Sequence, residues 1–280
     1  MIKVLHSGIY LSVQDLGRIG VAKKGIPQGG VLDSYAAKMA NALLKNNVSD
    51  AVIEITFGLG KFEFTTDTII CLVGGDFSPK LNATSIAMNA IVEVKKGDVL
   101  LFGKRNYGVR VYLAVKGGIQ SEVVLKSRSF FQGLTPKIRL KKGDILNINK
   151  TIGLIENKHA RIKINHDRFS LEDIRCYKGP EYDQLNQVQK RGLKNTFSIS
   201  EDNNRVGYRL KEIVENNLTP ILTSAVLPGT VQLTPSGKLI ILMRDCQVTG
   251  GYPRVLQLTN ESIDRLSQKM TNDTIRFVLT

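Results

Sequence analysis

Short runs of alternating hydrophobic and polar residues make up most of this chain, and Gly, Pro, Asn or Asp closes each run. Alternation places successive side chains on opposite faces of an extended backbone, so the pattern predicts β-strands. The clearest predicted strands cover residues 52–57, 61–64, 68–73, 109–115, 238–243 and 274–279. The sequence therefore predicts a mainly β protein.

Three segments have helical spacing instead. Asp33 is a favourable N-cap for a helix over residues 34–45, where small and apolar residues recur every three or four positions. Asn260 is predicted to cap a second helix over residues 261–269. Residues 181–191 are a weaker third candidate, so a few helices are expected to accompany the strands.

A Lys-Lys-Gly-Asp sequence occurs twice, within residues 92–102 and again within residues 138–148. Each copy lies between two short alternating runs. Gly97 and Gly143 can adopt the positive φ angle that tight turns require. The repeat predicts two similar β-hairpins.

A polar stretch over residues 149–158 is the best candidate for a domain boundary in this chain of 280 residues. It would separate an N-terminal β-rich half with one helix, residues 1–150, from a C-terminal β-rich half, residues 151–280. No low-complexity linker lies at the joint, so the two halves are expected to pack together.

Composition excludes several classes of protein. The three cysteines are far apart and the three histidines lack paired metal-ligand spacing, so neither a disulfide framework nor a metal site is expected. No apolar run reaches the roughly 20 residues of a membrane span, and the amino terminus lacks a signal-peptide pattern, which predicts a cytoplasmic protein. The net charge of +14 is scattered, which argues against a nucleic-acid partner and favours small anions.

Candidate chemistry in the first half begins at a glycine-rich loop, residues 25–30, that leads into the Asp33 helix. Backbone N–H groups at a helix start favour an anion, although a simple N-cap also explains Asp33. Asn41 is either a structural tie to a loop or part of a site. Glu54 lies within an apolar strand, so it is either salt-bridged or functional.

Arginines provide the first candidates in the second half. Arg205 and Arg209 flank Gly207 and Tyr208, and two guanidinium groups can hold a carboxylate or a phosphate. The alternative is that an arginine pairs with an internal aspartate and braces the fold.

The segment from Arg244 to Val255, RDCQVTGGYPRV, joins two apolar runs. Thr249, Gly250 and Gly251 place a hydroxyl and adaptable N–H groups together, which is typical of an anion-binding nest. Asp245 is the nearby carboxylate. We interpret residues 249–252 as one wall of a polar pocket.

Six blocks in a fixed order carry a family resemblance over about residues 8–277. They are GIPQGGVLDSYAAKMANALL, AVIEITFGLG, VRVYLAVKGGI, NNRVGYRL, LPGTVQL and RDCQVTGGYPRV. Together they resemble the allophanate hydrolase subunit 2 family, which is also called the KipA family. The resemblance implies a cyclophilin-like β-barrel architecture.

The resemblance also implies an activity and partners. The leading expectation is the C subunit of an ATP-dependent 5-oxoprolinase, which cleaves 5-oxoproline to glutamate together with an A subunit and a KipI-like B subunit. One alternative is a biotin-dependent carboxyltransferase component resembling that of urea carboxylase. The other is a non-enzymatic KipA-like regulator that binds a KipI-like kinase inhibitor.

Under the leading expectation, ATP is shared with the complex and the substrate is a small carboxylate. Biotin is implied only under the carboxyltransferase alternative. The residues expected to act in catalysis are Asp33, Asp245 and Arg205. Those expected to bind substrate are Asn41, Tyr208, Arg209, Gln232, Thr249, Gly250, Gly251 and Tyr252. They are expected to meet in a shared cleft.

Overall fold

The computed structural model describes residues 1–149 and 165–280, which divide into two compact units. The first unit contains Met1–Arg18 and Gly29–His166, and the second contains Ile19–Gln28 and Asp167–Thr280. The boundary expected at residue 150 lies outside the described residues, so that division stays a prediction.

Two antiparallel sheets form the described part of the first unit. One sheet has the strand order β11-β1-β4-β9-β6-β7 and the other has the order β2-β3-β10-β5-β8. The elements in chain order are β1 (Ile2–Ser7), β2 (Tyr10–Gln14), α1 (Ser34–Leu43), β3 (Val52–Thr56), β4 (Gly60–Phe64), β5 (Thr68–Asp76), β6 (Lys80–Leu81), β7 (Thr84–Ser85), β8 (Ile91–Val94), β9 (Val99–Leu101), β10 (Tyr107–Val115) and β11 (Ile145–Leu146).

An apolar cluster joins the two sheets. It includes Val4 and Phe62 from the first sheet, with Ile53 and Val111 from the second. Helix α1 contacts β5 and β10. Most of β5 is buried along its length, which explains why residues 69–73 form a continuous apolar run instead of alternating.

The two Lys-Lys-Gly-Asp segments form the predicted turns, but the predicted hairpins are wrong. Gly97 and Gly143 both have φ of +92°, and each turn's aspartate accepts from the backbone N–H three residues earlier. The strands that flank the first turn, β8 and β9, belong to different sheets. After the second turn, β11 pairs with β1, whereas Leu140 before it bonds to Leu11 of β2. Both turns therefore carry the chain from one sheet to the other.

A closed barrel forms most of the second unit, with the strand order β12-β19-β16-β17-β14-β13-β20. This confirms the expected mainly β, barrel-containing fold. The elements in chain order are a 3₁₀ turn (Ala22–Lys24), α2 (Asp167–Ser170), β12 (Asp173–Lys178), a second 3₁₀ turn (Tyr182–Gln184), α3 (Gln187–Gly192), β13 (Thr196–Asn203), β14 (Gly207–Ile213), β15 (Ser224–Ala225), β16 (Thr230–Leu233), β17 (Lys238–Leu242), β18 (Thr249–Gly250), β19 (Arg254–Leu258), α4 (Asn260–Leu266) and β20 (Thr274–Leu279).

Strands β15 and β18 pair with each other in a separate two-stranded ribbon, here called the outer ribbon. A small apolar cluster lies beside it and contains Val226, Leu242 and Cys246, with Ile240 packed against them. The outer ribbon therefore has its own apolar support on strand β17.

Helix boundaries agree with the sequence in one case and differ in two. Asp33 caps α1 as predicted. The cap of α4 is Thr259, whose hydroxyl accepts from the Ser262 N–H at 3.2 Å, so the prediction of Asn260 as the cap was wrong by one residue. The predicted helix over residues 181–191 is wrong because it is split. Asn186 has an extended backbone and forms a capping box with Gln189, which starts a new helix there.

No helix among the described residues is long and apolar enough to cross a membrane.

The three thiols provide a test of this packing, because Cys71, Cys176 and Cys246 are all free and buried. Burial raises the pKa of Cys71 to about 12, that of Cys176 to about 11 and that of Cys246 to about 12. Thiols stay protonated below their pKa, so we expect none to react with iodoacetamide at about pH 8 in the folded chain. Mass spectrometry before and after unfolding in urea measures this. Rapid alkylation of any one of them in the folded state would contradict the packing.

Candidate functional site

The start of helix α1 contains the first candidate, Asp33. Its side chain is fully buried and accepts a hydrogen bond from the Ala36 N–H at 2.9 Å. The Asp33 N–H in turn donates to the Tyr112 hydroxyl at 2.8 Å. In the preceding loop, a Cβ at Gly30 would lie 2.7 Å from the Gly17 nitrogen, so the loop packs against backbone as closely as only glycine permits.

A buried polar network holds this helix start in place, and the sequence analysis missed its central residue, Tyr112. The Tyr112 hydroxyl and the Leu32 N–H both donate to Glu54 Oε2, each at 2.9 Å. Arg110 Nε lies 3.9 Å from Glu54 Oε1. Burial, followed by the nearby Glu54 charge, holds the pKa of Tyr112 well above its ordinary value. Glu54, which the sequence left as either salt-bridged or functional, is therefore a bonded part of this network.

Asn41 lies near the other end of α1, roughly 12 Å from Asp33 at 1.5 Å per residue. It is fully buried, and its Nδ2 donates to the Asp50 carbonyl oxygen at 2.8 Å. Its Oδ1 accepts from Asn46 Nδ2 at 3.1 Å. Of the two readings of Asn41 in the sequence, these contacts support a structural tie to the following loop.

Beyond Asn41, a polar cavity of about 460 Å³ lies at the C-terminal end of α1. Lys116 lines it and donates through Nζ to the Leu44 carbonyl at 2.8 Å, which complements the negative end of the helix. Asn46 also lines it and donates to the Val115 carbonyl at 2.8 Å. Both side chains are therefore already hydrogen-bonded to backbone carbonyls.

Arg205 and Asp245 form a bidentate pair in the second unit. Arg205 Nε donates to Asp245 Oδ2 at 2.8 Å and Nη2 donates to Oδ1 at 2.9 Å. Their backbones are also joined, since the Asp245 N–H donates to the Arg205 carbonyl at 2.9 Å. Only about a tenth of each side chain is exposed, at 10% for Arg205 and 14% for Asp245. Of the two roles left open for the arginines, Arg205 shows the bracing one.

Tyr208 and Arg209 are neighbours on β14 that point to opposite faces of the barrel wall. Tyr208 is fully buried and pairs in register with Ile241, which is also fully buried. Arg209 is on the exposed face and lies 3.9 Å from Asp202, measured between Nη1 and Oδ2. Arg209 is therefore the arginine of this segment whose guanidinium faces solvent.

Gln232 lies where the outer ribbon meets the barrel. It is in register with Ile240, which is in turn in register with Arg209, so the three residues form a row across adjacent strands. Gln232 Nε2 is 3.5 Å from the Tyr252 carbonyl oxygen. A Cβ at Gly250 would lie only 2.6 Å from Gln232 Nε2, so the glycine brings the ribbon close to this amide.

The segment 249–252 lies at the surface, and the pocket that it is expected to line stays a prediction. Thr249 is exposed, Gly250 and Gly251 are half-buried, and Tyr252 is 39% exposed. The Gly251 carbonyl accepts from the Ile221 N–H at 3.0 Å, which ties the segment to the chain before β15.

Arg254 and Glu181 form a second bidentate pair, which the sequence analysis missed. Arg254 donates through Nε at 3.0 Å and through Nη2 at 2.8 Å to the two Glu181 oxygens. Its Nη1 donates to the Ala225 carbonyl of the outer ribbon at 2.9 Å. These hydrogen bonds, the Arg254 side chain first, lower the pKa of Glu181. The alternating pattern of its strand could have suggested that the Arg254 side chain points outward, but no sequence pattern indicated its partner.

The candidates therefore fall into two groups. Asp33 and Asn41 belong to the first unit, and the other nine belong to the second. Within the second unit, Arg205 is joined to Asp245, and Gln232 is joined to the segment 249–252. The shared cleft expected from the sequence stays a prediction. Among the described residues, no group of three or more His, Cys, Asp or Glu is placed to hold a metal ion.

Comparison with known proteins assigns the class. A family model described as the carboxyltransferase domain, subdomain A and B, matches residues 24–279. The chain belongs to this carboxyltransferase domain family, which confirms the resemblance noted in the sequence.

Particular relatives within the class are components of 5-oxoprolinase. The chain is 33% identical over 287 residues to the 5-oxoprolinase C subunit of Escherichia coli, covering 99% of this chain and 91% of that protein. It is 29% identical over 281 residues to the 5-oxoprolinase C subunit of Haemophilus influenzae, covering 99% and 90%.

A solved structure shares the same architecture. The urea carboxylase of Kluyveromyces lactis matches with a TM-score of 0.86 and 27% identity over 99% of this chain. The match covers only 27% of the urea carboxylase chain, so this protein corresponds to about a quarter of that enzyme.

The Arg205–Asp245 pair predicts that replacing Arg205 destabilises the chain more than replacing Arg209 in the same segment. Replacing Arg205 with Gln leaves the carboxylate of Asp245 without its partner, and we expect a loss of about 3 kcal/mol in the free energy of unfolding. The matched variant Arg209→Gln removes an exposed charge and should change it by less than about 0.5 kcal/mol. Urea unfolding followed by circular dichroism measures both. Equal losses in the two variants would contradict the bracing role.

The Glu181–Arg254 pair predicts a pH dependence. The pKa of Glu181 is lowered in the folded chain, so its stabilisation is present above the unfolded pKa of about 4.3 and is lost as pH falls through the folded pKa. The stability gap between the natural protein and Glu181→Gln should be constant near neutral pH and shrink below about pH 4.3. Urea midpoints across pH measure the gap, with Glu201→Gln as a control at an exposed glutamate that forms no ion pair among the described residues. A gap that widens on acidification would be inconsistent with the pair.

Proposed function

We propose that this chain is the C subunit of an ATP-dependent 5-oxoprolinase, working together with an A subunit and a KipI-like B subunit. The observation that carries the proposal is the nearly full-length match in both directions with two 5-oxoprolinase C subunits. A match that spans both chains supports the same role more strongly than one that spans a quarter of a larger enzyme.

The chemistry requires a lactam amide to be opened, and amide resonance makes this bond resistant to water. ATP transfers its terminal phosphoryl group to the lactam oxygen and leaves as ADP, after which water adds to the carbonyl carbon. The carbon–nitrogen bond then breaks as the nitrogen takes up a proton, and a second water releases phosphate from the resulting acyl phosphate to give glutamate. In this proposal ATP is shared with the complex, and the GxxxxGK[ST] phosphate loop does not occur in this sequence.

Within this proposal, the chain's own residues bind and position the substrate. The exposed guanidinium of Arg209 is suited to a substrate carboxylate, because its distance to Asp202 is long and both side chains are in solvent. The exposed Thr249 hydroxyl and the half-buried Gly251 offer polar groups from the ribbon side.

Asp245 and Asp33 have positioning roles here rather than that of a base. Asp245 is held by the Arg205 guanidinium, and Asp33 caps a helix from a fully buried position. Arg205 likewise positions the loop that carries Asp245 instead of contacting substrate.

A carboxyltransferase component is the second candidate function. The matching family model and the urea carboxylase likeness favour it. The sequence contains no Met-Lys-Met biotin attachment site, so biotin would have to arrive on a separate carrier protein.

Co-expression with the A and B subunits tests the proposal. We expect 5-oxoproline-dependent ATP hydrolysis and glutamate release from the complex of all three, and loss of this turnover when the present chain is left out. Full turnover without it would refute the proposal. Carboxyl exchange with carboxybiotin, without 5-oxoproline-dependent turnover, would instead support the second candidate.

Matched variants in the same complex test the substrate contact. Loss of a charge-assisted hydrogen bond costs about 1.5–3 kcal/mol, so Arg209→Gln should lower kcat/KM for 5-oxoproline roughly tenfold or more. Lys211→Gln, on the same strand, removes the same charge and should leave it nearly unchanged. Equal effects of the two changes would remove Arg209 from the site.

A further inference from the structure

A second cavity, of about 360 Å³, lies in the second unit between helix α3, the adjoining 3₁₀ turn and strand β20. None of the sequence-predicted site residues lines it. Its apolar walls are Leu279, which is 40% exposed, and Leu193, Leu256 and Phe277, of which 3%, 1% and 7% remain exposed. The cavity thus offers an apolar surface to a ligand.

The walls of this cavity are held by contacts of their own. Asn186 and Gln189 form the capping box that starts α3, and Gln189 Nε2 also donates to the Glu215 carbonyl at 3.0 Å. Phe277 packs against Phe197 with ring centroids 5.6 Å apart. The cavity is therefore formed before any ligand arrives, as is usual for small-molecule sites.

Two lysines line the same cavity without forming an ion pair with any described carboxylate. They are Lys190, in the last turn of α3, and Lys194, two residues beyond the end of that helix. Lys190 Nζ lies 5.4 Å from the centroid of the Tyr182 ring, and Tyr182 also lines the cavity. Arg276 differs, since Asp173 neutralises it at 2.8 Å. The cavity therefore combines an apolar surface with two lysine charges that no described carboxylate neutralises.

We infer that this cavity binds a small amphipathic anion, with an apolar or aromatic body and one carboxylate, phosphate or sulfonate group. The body would lie against Leu279 and Phe277, and the acid group would lie near Lys190 and Lys194. The volume of about 360 Å³ suits a small molecule, because such pockets span about 300–1,000 Å³. The inference goes beyond the proposed function, since it concerns a separate site and a more apolar ligand.

Phenylacetate is the test compound, and phenylacetamide is its neutral match with the same ring. Binding to the full chain is measured by ligand-observed NMR and isothermal titration calorimetry. We expect saturable binding of phenylacetate with one site per chain, roughly tenfold tighter than that of the amide, since the charge contact is lost in the amide.

Variants locate the binding. Lys190→Gln combined with Lys194→Gln should bring phenylacetate down to the affinity of the amide, and Leu279→Trp should weaken both compounds by filling the cavity. The double variant Lys211→Gln with Lys238→Gln removes the same charge from strands β14 and β17 and should leave binding unchanged. Thermal melting of each variant checks that it is folded.

Three results would overturn the inference. They are absence of saturable phenylacetate binding at millimolar concentration, equal affinity for the acid and the amide, and retained acid preference in the Lys190→Gln and Lys194→Gln variant. Because these measurements use neither ATP nor the other 5-oxoprolinase components, their failure would not bear on the 5-oxoprolinase proposal.

Discussion

Paired guanidinium and carboxylate groups are the interaction on which the irregular parts of the second unit depend. Three such pairs are largely buried and join residues far apart in the chain: Arg205 with Asp245, Arg254 with Glu181, and Arg244 with Asp264. A barrel strand can be held by its backbone ladder, but a loop between strands has no ladder. Charge-assisted side-chain bonds supply the missing connection, and breaking one would leave a charge in a poorly solvated position.

Several buried carboxylates are engaged in such contacts, which leaves exposed cations for binding. The acids at positions 181 and 245 hold arginines, and Glu54 accepts hydrogen bonds from Tyr112 and the Leu32 backbone. Part of the excess positive charge is then left on exposed cations such as Arg209 and Lys194. Both binding proposals use such exposed cations, because a cation beside polar or apolar surface favours a small anion.

Membership of the carboxyltransferase domain family specifies an architecture more firmly than a reaction. The same architecture occurs within a urea carboxylase, and the chain is similar over nearly its whole length to 5-oxoprolinase C subunits. Relatives of this chain therefore include proteins named for two different reactions, urea carboxylase and 5-oxoprolinase. Function depends on the residues added to the fold, and our proposal places it here on the ribbon segment 249–252 and the exposed Arg209.

The sequence by itself determined what is local. It predicted the strands, the Asp33 cap and the two Lys-Lys-Gly-Asp turns, because periodicity, capping and positive φ depend on neighbouring residues. Only the tertiary structure decided that those turns cross between sheets, that Arg205 holds Asp245, and that Glu181 meets Arg254 across 73 residues. Which strands pair, and which charged side chains meet, depends on how the whole fold buries them. A local sequence pattern does not contain that information.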